Sequence, residues 1–402
     1  MSLGWIDFSK NERNKVLSVL DLLSESGTLD ELGIAPVRDG FANLFFPGTS
    51  TIQTRAKYFL IVPYALKDLE YSSESNPNRM LRIFDAMERR CGEILTCGED
   101  TDGIIGSRSL AQNRWVKRTP ADIYWAGLRN YGIFTRGTLS LSEYIRAICA
   151  QNQNSTLTKL GNRNDTAEEG DADDKDAGDP FRMQFWKIPT YQEKWIDGLT
   201  MKLTKEEGYF LKNQIMASFP ESMLTYILRN GLSEIFECKT FQDMKSLIRA
   251  FPEQIRYDYF LAYDFSAFLF VLRTVYNIVV SEGKNDDANA LWDDFIPNLK
   301  KLAAVELNSI FGRLGITQNA FLCNFLLKSQ RMMREANLEG MKTEIKRMER
   351  ELKQSRAKTL HPGEFPPNAW FGGRLLDYRF GYAKVIIGDI FESVGTYVKS
   401  KQ

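Results

Sequence analysis

Residues 45–60 read FFPGTSTIQTRAKYFL. The Pro47-Gly48 turn separates two segments that are each apolar at helical spacing. Before it, Pro36 sits where a first-turn proline belongs, opening a helix to Phe46 that packs through Val37, Phe41, Leu44 and Phe45. After it, Ile52, Ala56, Phe59 and Leu60 stand at i, i+4, i+7 and i+8, one face of a second helix. Thr51, Gln53, Thr54, Arg55 and Lys57 fall off that face. Two helices joined by a short Gly-containing turn make a helix-turn-helix corner, whose second helix meets nucleic acid through its first residues. Hydroxyls, an amide and two cations suit phosphates and base edges. An ordinary corner inside a helical domain has the same pattern, and free amides at Thr51 to Gln53 suit a phosphate without any sequence reading.

Working outward, the signals remain helical. Ser9 caps a helix to about Leu23, with Val16, Leu17, Leu20 and Leu23 on one face. Further helices are predicted at about 77–95, from Thr119 to near Gly132 with Asp122 at its positive end, and from Ser140 or Ser142 to about Ala150. Thr204 and Glu207 form a capping box for a helix through Met216, and Thr240 caps the next. Long helices follow at about 253–280, 286–311 and 317–358. A short hairpin near Ile133–Thr138 is the sole strand signal.

With 402 residues, two domains are expected. Between residues 153 and 180 eight acidic side chains stand against three basic ones, with almost no large apolar side chain. Such a segment buries too little to offset its ordering entropy, and it reads as an acidic flexible linker; a nucleic-acid mimic shielding a basic surface is the functional alternative. The fold class is therefore mainly α: an N-terminal helical domain over 1–152, helix-turn-helix or winged-helix-like, and a C-terminal helical domain over 181–402 with a long coiled-coil-like helix.

Lys+Arg and Asp+Glu both number 52, so nucleic-acid binding must use a local patch. Five scattered cysteines without metal-ligand spacing fit a reducing, cytoplasmic setting. The N-terminus lacks the order of a signal peptide. Residues 259–280 are nearly long enough to span a bilayer, but Asp264 and Arg273 inside them point to a core helix.

The one histidine, His361, excludes mechanisms that need two. No G-x-S-x-G elbow and no phosphate-binding Gly-Lys loop is present. Catalytic residues, metal and cofactor are each read as none. A carboxylate-based metal nuclease or phosphodiesterase stays open through Asp258, Asp264, Asp377 and Asp389, which pairing with Arg256, Arg273 or Arg379 explains equally well.

Two further regions are cation-rich. Arg108, Arg114, Lys117, Arg118, Arg129 and Arg136 interleave with Trp115, Tyr124, Trp125 and Tyr131, a pattern that suits nucleic acid or an aromatic core with a solvated rim. From Lys328 to Lys358 ten cations face five acids. Leu338, Met341, Ile345, Met348 and Leu352 form a seam that needs a partner helix, within the chain or in a homo-oligomer. Lys346, Arg347, Arg350 and Lys353 then face outward toward a phosphate backbone.

GWIDFS together with ELGIAPVRDGFANLFFPGTSTIQTRAKYFLIVPY resembles a bacterial family of unknown function. The resemblance implies an accessory component of anti-phage defence loci, beside helicases, methyltransferases and nucleases, and assigns no catalytic residue. The combined expectation is a cytoplasmic, non-enzymatic, DNA-binding specificity or assembly subunit with protein partners such as a helicase or nuclease. A structural scaffold assembling through the helical seam is the remaining alternative.

Overall fold

The computed structural model describes residues 30–161, 183–362 and 364–396, the side chains of 154–161 excepted. The helix expected at Ser9–Leu23 and all but the first residues of the acidic segment lie outside the described residues. Among the described residues there are fifteen α-helices and a single isolated β-bridge. They are α1 (Ala35–Phe45), α2 (Tyr58–Glu70), α3 (Pro77–Thr96), α4 (Ser107–Leu110), α5 (Pro120–Asn130), α6 (Leu141–Gly161), α7 (Lys205–Ser218), α8 (Met223–Asn230), α9 (Glu253–Val280), α10 (Asp286–Phe295), α11 (Leu299–Leu302), α12 (Leu307–Arg313), α13 (Ala320–Arg334), α14 (Leu338–Lys353) and α15 (Phe380–Val394). The mainly α reading holds.

The capping signals act as read. Thr119 and Asp122 close a reciprocal box at α5, Thr204 and Glu207 another at α7. The box of Thr240 and Asp243 opens a 3₁₀ turn instead of an α-helix. In place of the hairpin near Ile133–Thr138, Phe134 bridges antiparallel to Trp186, with Thr135 N donating to Phe185 O at 2.8 Å.

The chain divides into two compact units, one of residues 1–41 with 252–378, the other of residues 42–251 with 379–402. This division does not follow the expected boundary at 153–180. Sequence composition marks where a chain is polar, whereas a compact unit is defined by which distant segments bury one another.

In the first unit α9 is the core helix. It is long and apolar enough to cross a membrane, yet 78% of its apolar window is buried inside the protein. The expected helix at 317–358 is two helices. α13 stops at Arg334, Ala336 takes a φ of 53°, and Asn337 caps α14 by accepting from Gly340 N at 2.8 Å. The chain folds back, and the face of Met341, Ile345 and Met348 is buried against α9 and α13. The partner of this seam, with Leu338 and Leu352 at its half-buried margins, is thus intramolecular. The helix expected at 286–311 is likewise broken, at Pro297, which cannot donate to the ladder.

In the second unit α2 is buried from Tyr58 to Leu66 and packs on α3 and α5. Trp125, Phe134, Tyr144, Phe185 and Trp186 form an aromatic core with centroid separations of 4.7 to 6.2 Å. Tyr144 carries its polar end: it donates to Glu70 Oε1 at 2.9 Å and accepts from Trp186 Nε1 at 2.7 Å. α15 lies along α7 and α8 of the same unit.

Candidate nucleic-acid interface

The stretch 51–57 is not helical. The chain turns at Thr51-Ile52, runs without regular structure to Arg55, and enters α2 only at Tyr58 with Lys57 as N-cap. The helical spacing counted from Ile52 therefore does not apply. Ile52, expected in the core, is exposed, while Gln53, Arg55 and Lys57, expected in water, are 3%, 6% and 6% exposed.

Each of the three is matched inside the unit. Gln53 Oε1 accepts from Ser50 N at 3.1 Å and its Nε2 donates to Gly48 O at 3.2 Å, holding the Pro47-Gly48 turn closed. Arg55 Nε donates to both oxygens of Asp389 at 3.0 and 3.1 Å. Its Nη1 and Nη2 bind Asp100 at 3.1 and 2.9 Å, and Nη1 also reaches Asp102 O. Burial opposes its charge, but the hydrogen bond to Asp100 and the pull of Asp389 outweigh that and raise its pKa. Lys57 Nζ sits 2.6 and 2.8 Å from Glu207, the residue that also closes the α7 capping box.

Tyr124 completes the clamp. Its hydroxyl accepts from Thr54 N and Arg55 N at 2.9 and 3.0 Å and donates to Arg55 O at 2.7 Å, which uses its full hydrogen-bonding capacity. Two glycines allow this closeness. A Cβ on Gly48 would lie 2.4 Å from the Tyr131 ring, and one on Gly103 would lie 2.8 Å from Arg55 Cγ. Thr51 is exposed, and Thr54 is half-buried with an unbonded hydroxyl. As a phosphate-reading surface, the Gln53, Arg55 and Lys57 assignment is corrected: the two cations are already neutralised by carboxylates, the amide is spent on the turn, and all three are closed to a ligand.

The second cation cluster stands differently. Arg108, Arg114, Lys117, Arg118, Arg129 and Arg136 are all exposed. Among the described residues none of them makes an ion pair within 4.0 Å. The three central ones lie in the irregular segment between α4 and α5, and that segment is anchored. Trp115 packs over Gly92 of α3 and Gly106, where added Cβ atoms would meet its ring at 3.2 and 3.1 Å. Arg89 Nη2 donates to Asn113 Oδ1 at 2.7 Å. Buried Glu88 accepts from Ala121 N at 2.7 Å at the start of α5. Burial pushes the Glu88 carboxyl up to about 8, against the lowering pull of that amide. Arg129 sits in the last turn of α5, an eleven-residue helix of about 16 Å at 1.5 Å per residue, and Arg136 lies beyond its end. The interleaved aromatics belong to the core: Tyr124 and Tyr131 are fully buried, Trp125 nearly so.

On α14, in the first unit, the expected outward set is split. Lys346 and Arg350 are exposed. Arg347 is held by Glu344 and Glu351 at 2.5 and 2.7 Å. Lys353 is buried beside the fully buried Glu349, which also receives Tyr276 Oη at 2.7 Å. Lys353 is thus corrected from surface to core.

Two of the candidate metal carboxylates are committed to cations. Asp258 binds Arg313 at 2.7 and 2.8 Å, and Asp389 binds Arg55. These are not the arginines expected, because the partners come from distant parts of the chain. Among the described residues no three His, Cys, Asp or Glu side chains gather closely enough to hold a metal ion. The five cysteines are free thiols, Cys97 alone exposed. His361 is exposed in a turn beside Ser355 and Glu364.

Sequence reasoning missed Asp100, Asp389, Glu207 and Tyr124 as the partners of residues 54–57. They lie 45 to 334 residues away from their cations or amides, and no local signal links them.

Residues 1–148 match the model of a family described as a family of unknown function, DUF6361. The match takes in the N-terminal signature, the 45–60 stretch and all six exposed cations of 108–136. No curated protein and no solved structure matches the chain.

Proposed function

We propose that the protein is a non-enzymatic nucleic-acid-binding subunit whose contact surface is the exposed cation face of residues 108–136. The observation that carries this reading is the contrast in charge pairing. Among the described residues six cations face water without a carboxylate partner, in a stretch anchored by Trp115, whereas the cations at 55 and 57 are neutralised inside. Long-range attraction to a phosphate backbone comes from charges that are both wet and unpaired. The aromatics beneath are occupied by packing, so the surface favours phosphate binding over base stacking. Duplex DNA is the expected ligand. The cytoplasm is the expected location, and the anti-phage loci implied by the N-terminal signature are a fitting setting, with a helicase or nuclease supplying the chemistry.

The test is fluorescence anisotropy with labelled duplex and single-stranded DNA across a salt series, on the full chain and on R114A/K117A/R118A. Binding should weaken on duplex, and the salt slope should flatten by roughly 0.9 for each phosphate that the variant no longer neutralises. A folded triple variant that binds with unchanged affinity and slope overturns the assignment.

A further inference from the structure

We propose that Glu88 is a proton-operated switch beneath the cation face of residues 108–136, so that nucleic acid binds more tightly when this side chain is neutral. This regulation rests on the nucleic-acid reading above. Among the described residues six acidic side chains are buried: Glu70, Glu88, Glu207, Asp258, Glu344 and Glu349. Five of them touch a Lys or Arg at 3.3 Å or less. Glu88 is the exception. It is 3% exposed, and among the described residues no cationic group lies within 4.0 Å of its carboxyl.

Its position couples it to the exposed cations. Glu88 accepts from Ala121 N at 2.7 Å, in the first turn of α5. Thr119, the cap of that helix, lies beside it as a second partner, and a hydroxyl donates to a carboxylate or accepts from a neutral carboxyl. Arg118 stands three positions before Ala121, so their Cα atoms lie within about 11 Å of each other. On α3 itself, the next residue, Arg89, is tied to Asn113, the neighbour of Arg114. A charge that forms at Glu88 therefore acts on Arg114, Lys117 and Arg118 from the protein side, where no water screens it.

The titratable groups that face Glu88 bring no compensating charge. Asp122 of α5 and Asp85 of α3 have its own sign and oppose its ionisation. Burial holds Tyr58 of α2 and Cys91 of α3 neutral. A buried carboxylate without a cation escapes its desolvation by taking up a proton, and burial is the largest cause that carries the titration of Glu88 up to about 8. Phosphates docked on the face add negative charge and raise it further. By reciprocity the ionised form binds phosphate more weakly. The affinity is thus full while Glu88 is protonated and falls as pH rises through about 8. One charge at about 10–15 Å and an effective dielectric of about 20 changes affinity roughly sixfold to fifteenfold, and salt reduces this to about threefold.

The test is calorimetric titration of the full chain and of Glu88→Gln with duplex DNA at about pH 7 and about pH 9. A titration midway between, in two buffers of different ionisation enthalpy, counts the protons taken up on binding. Gln keeps an acceptor for Ala121 N and cannot ionise, and every other titrating group is shared by the two proteins. Wild type should lose affinity about threefold or more across that range and take up part of a proton as it binds. Glu88→Gln should hold its affinity across the range and take up none. Equal pH dependence and equal proton uptake in the two proteins overturn the switch and leave the interface standing. So does a loss of wild-type affinity that only follows unfolding, read by circular dichroism at each pH. Absence of duplex binding by wild type at low salt and about pH 7 overturns the interface itself, and the switch with it.

Discussion

Arg55 and Lys57, on one side, and Arg114, Lys117 and Arg118, on the other, are chemically alike and stand in stretches of similar polarity. The first pair is sealed in a core, each cation touching carboxylates at 2.6 to 3.0 Å. The second set is exposed, and among the described residues it makes no ion pair. What differs is whether distant carboxylates arrive. Asp389 reaches Arg55 from 334 positions away and Glu207 reaches Lys57 from 150. Among the described residues nothing comparable reaches 114–118. A cation's role is therefore a property of its neighbourhood and not of its flanking sequence.

That contrast can be broken by experiment. The largest effect is expected from Arg55→Met. It removes the cation that faces the buried Asp389 carboxylate, and removing one member of a buried pair costs about 3–5 kcal/mol. Urea unfolding measures this, and a loss below about 1 kcal/mol would mean that the network is replaceable. Tyr124→Phe removes the acceptor for two amides and the donor to one carbonyl. Each stranded group costs about 1–3 kcal/mol, and unfolding of the variant against wild type gives the sum.

Glu88 sharpens the comparison from the side of the exposed set, since it anchors the start of α5. Its pKa is raised from 4.5 to about 8, so the folded state holds a proton that the unfolded state has released. Its contribution is complete below about 4.5 and is lost as pH rises through about 8, at up to ~1.4 kcal/mol per pH unit. Glu88→Gln should flatten that slope and leave the variant the more stable one at about pH 9, as thermal melts across the pH range would show. The smallest stability effect belongs to R114A/K117A/R118A. Exposed unpaired side chains change stability by about 0.5 kcal/mol or less. A larger loss there would mean that these cations have structural partners after all.

Much of the fold is legible locally. The caps at Thr119 and Thr204 and the extent of α9 follow from short-range rules: a capping box needs two residues three apart, and apolar periodicity needs only the helix itself. Local reading fails where one pattern permits two geometries. The spacing of Ile52, Ala56 and Phe59 suits a helix, yet the helix starts only at Tyr58. The heptad-like run from Leu338 reads as continuous with the residues before it, yet Ala336 breaks it. At the candidate interface the cations of 108–136 are legible as a cluster, and their exposure is not.

The amino-acid order alone determined a helical protein, its capping residues, the absence of recognised catalytic motifs and the positions of its cation-rich stretches. These depend on interactions a few residues long. Only the tertiary structure decided which cations remain in water, that the 338–352 seam closes on α9 and α13, and that the compact units interleave along the chain. Those outcomes rest on long-range burial and on Coulomb pairing in a low-dielectric interior, which bring together residues that no local rule connects.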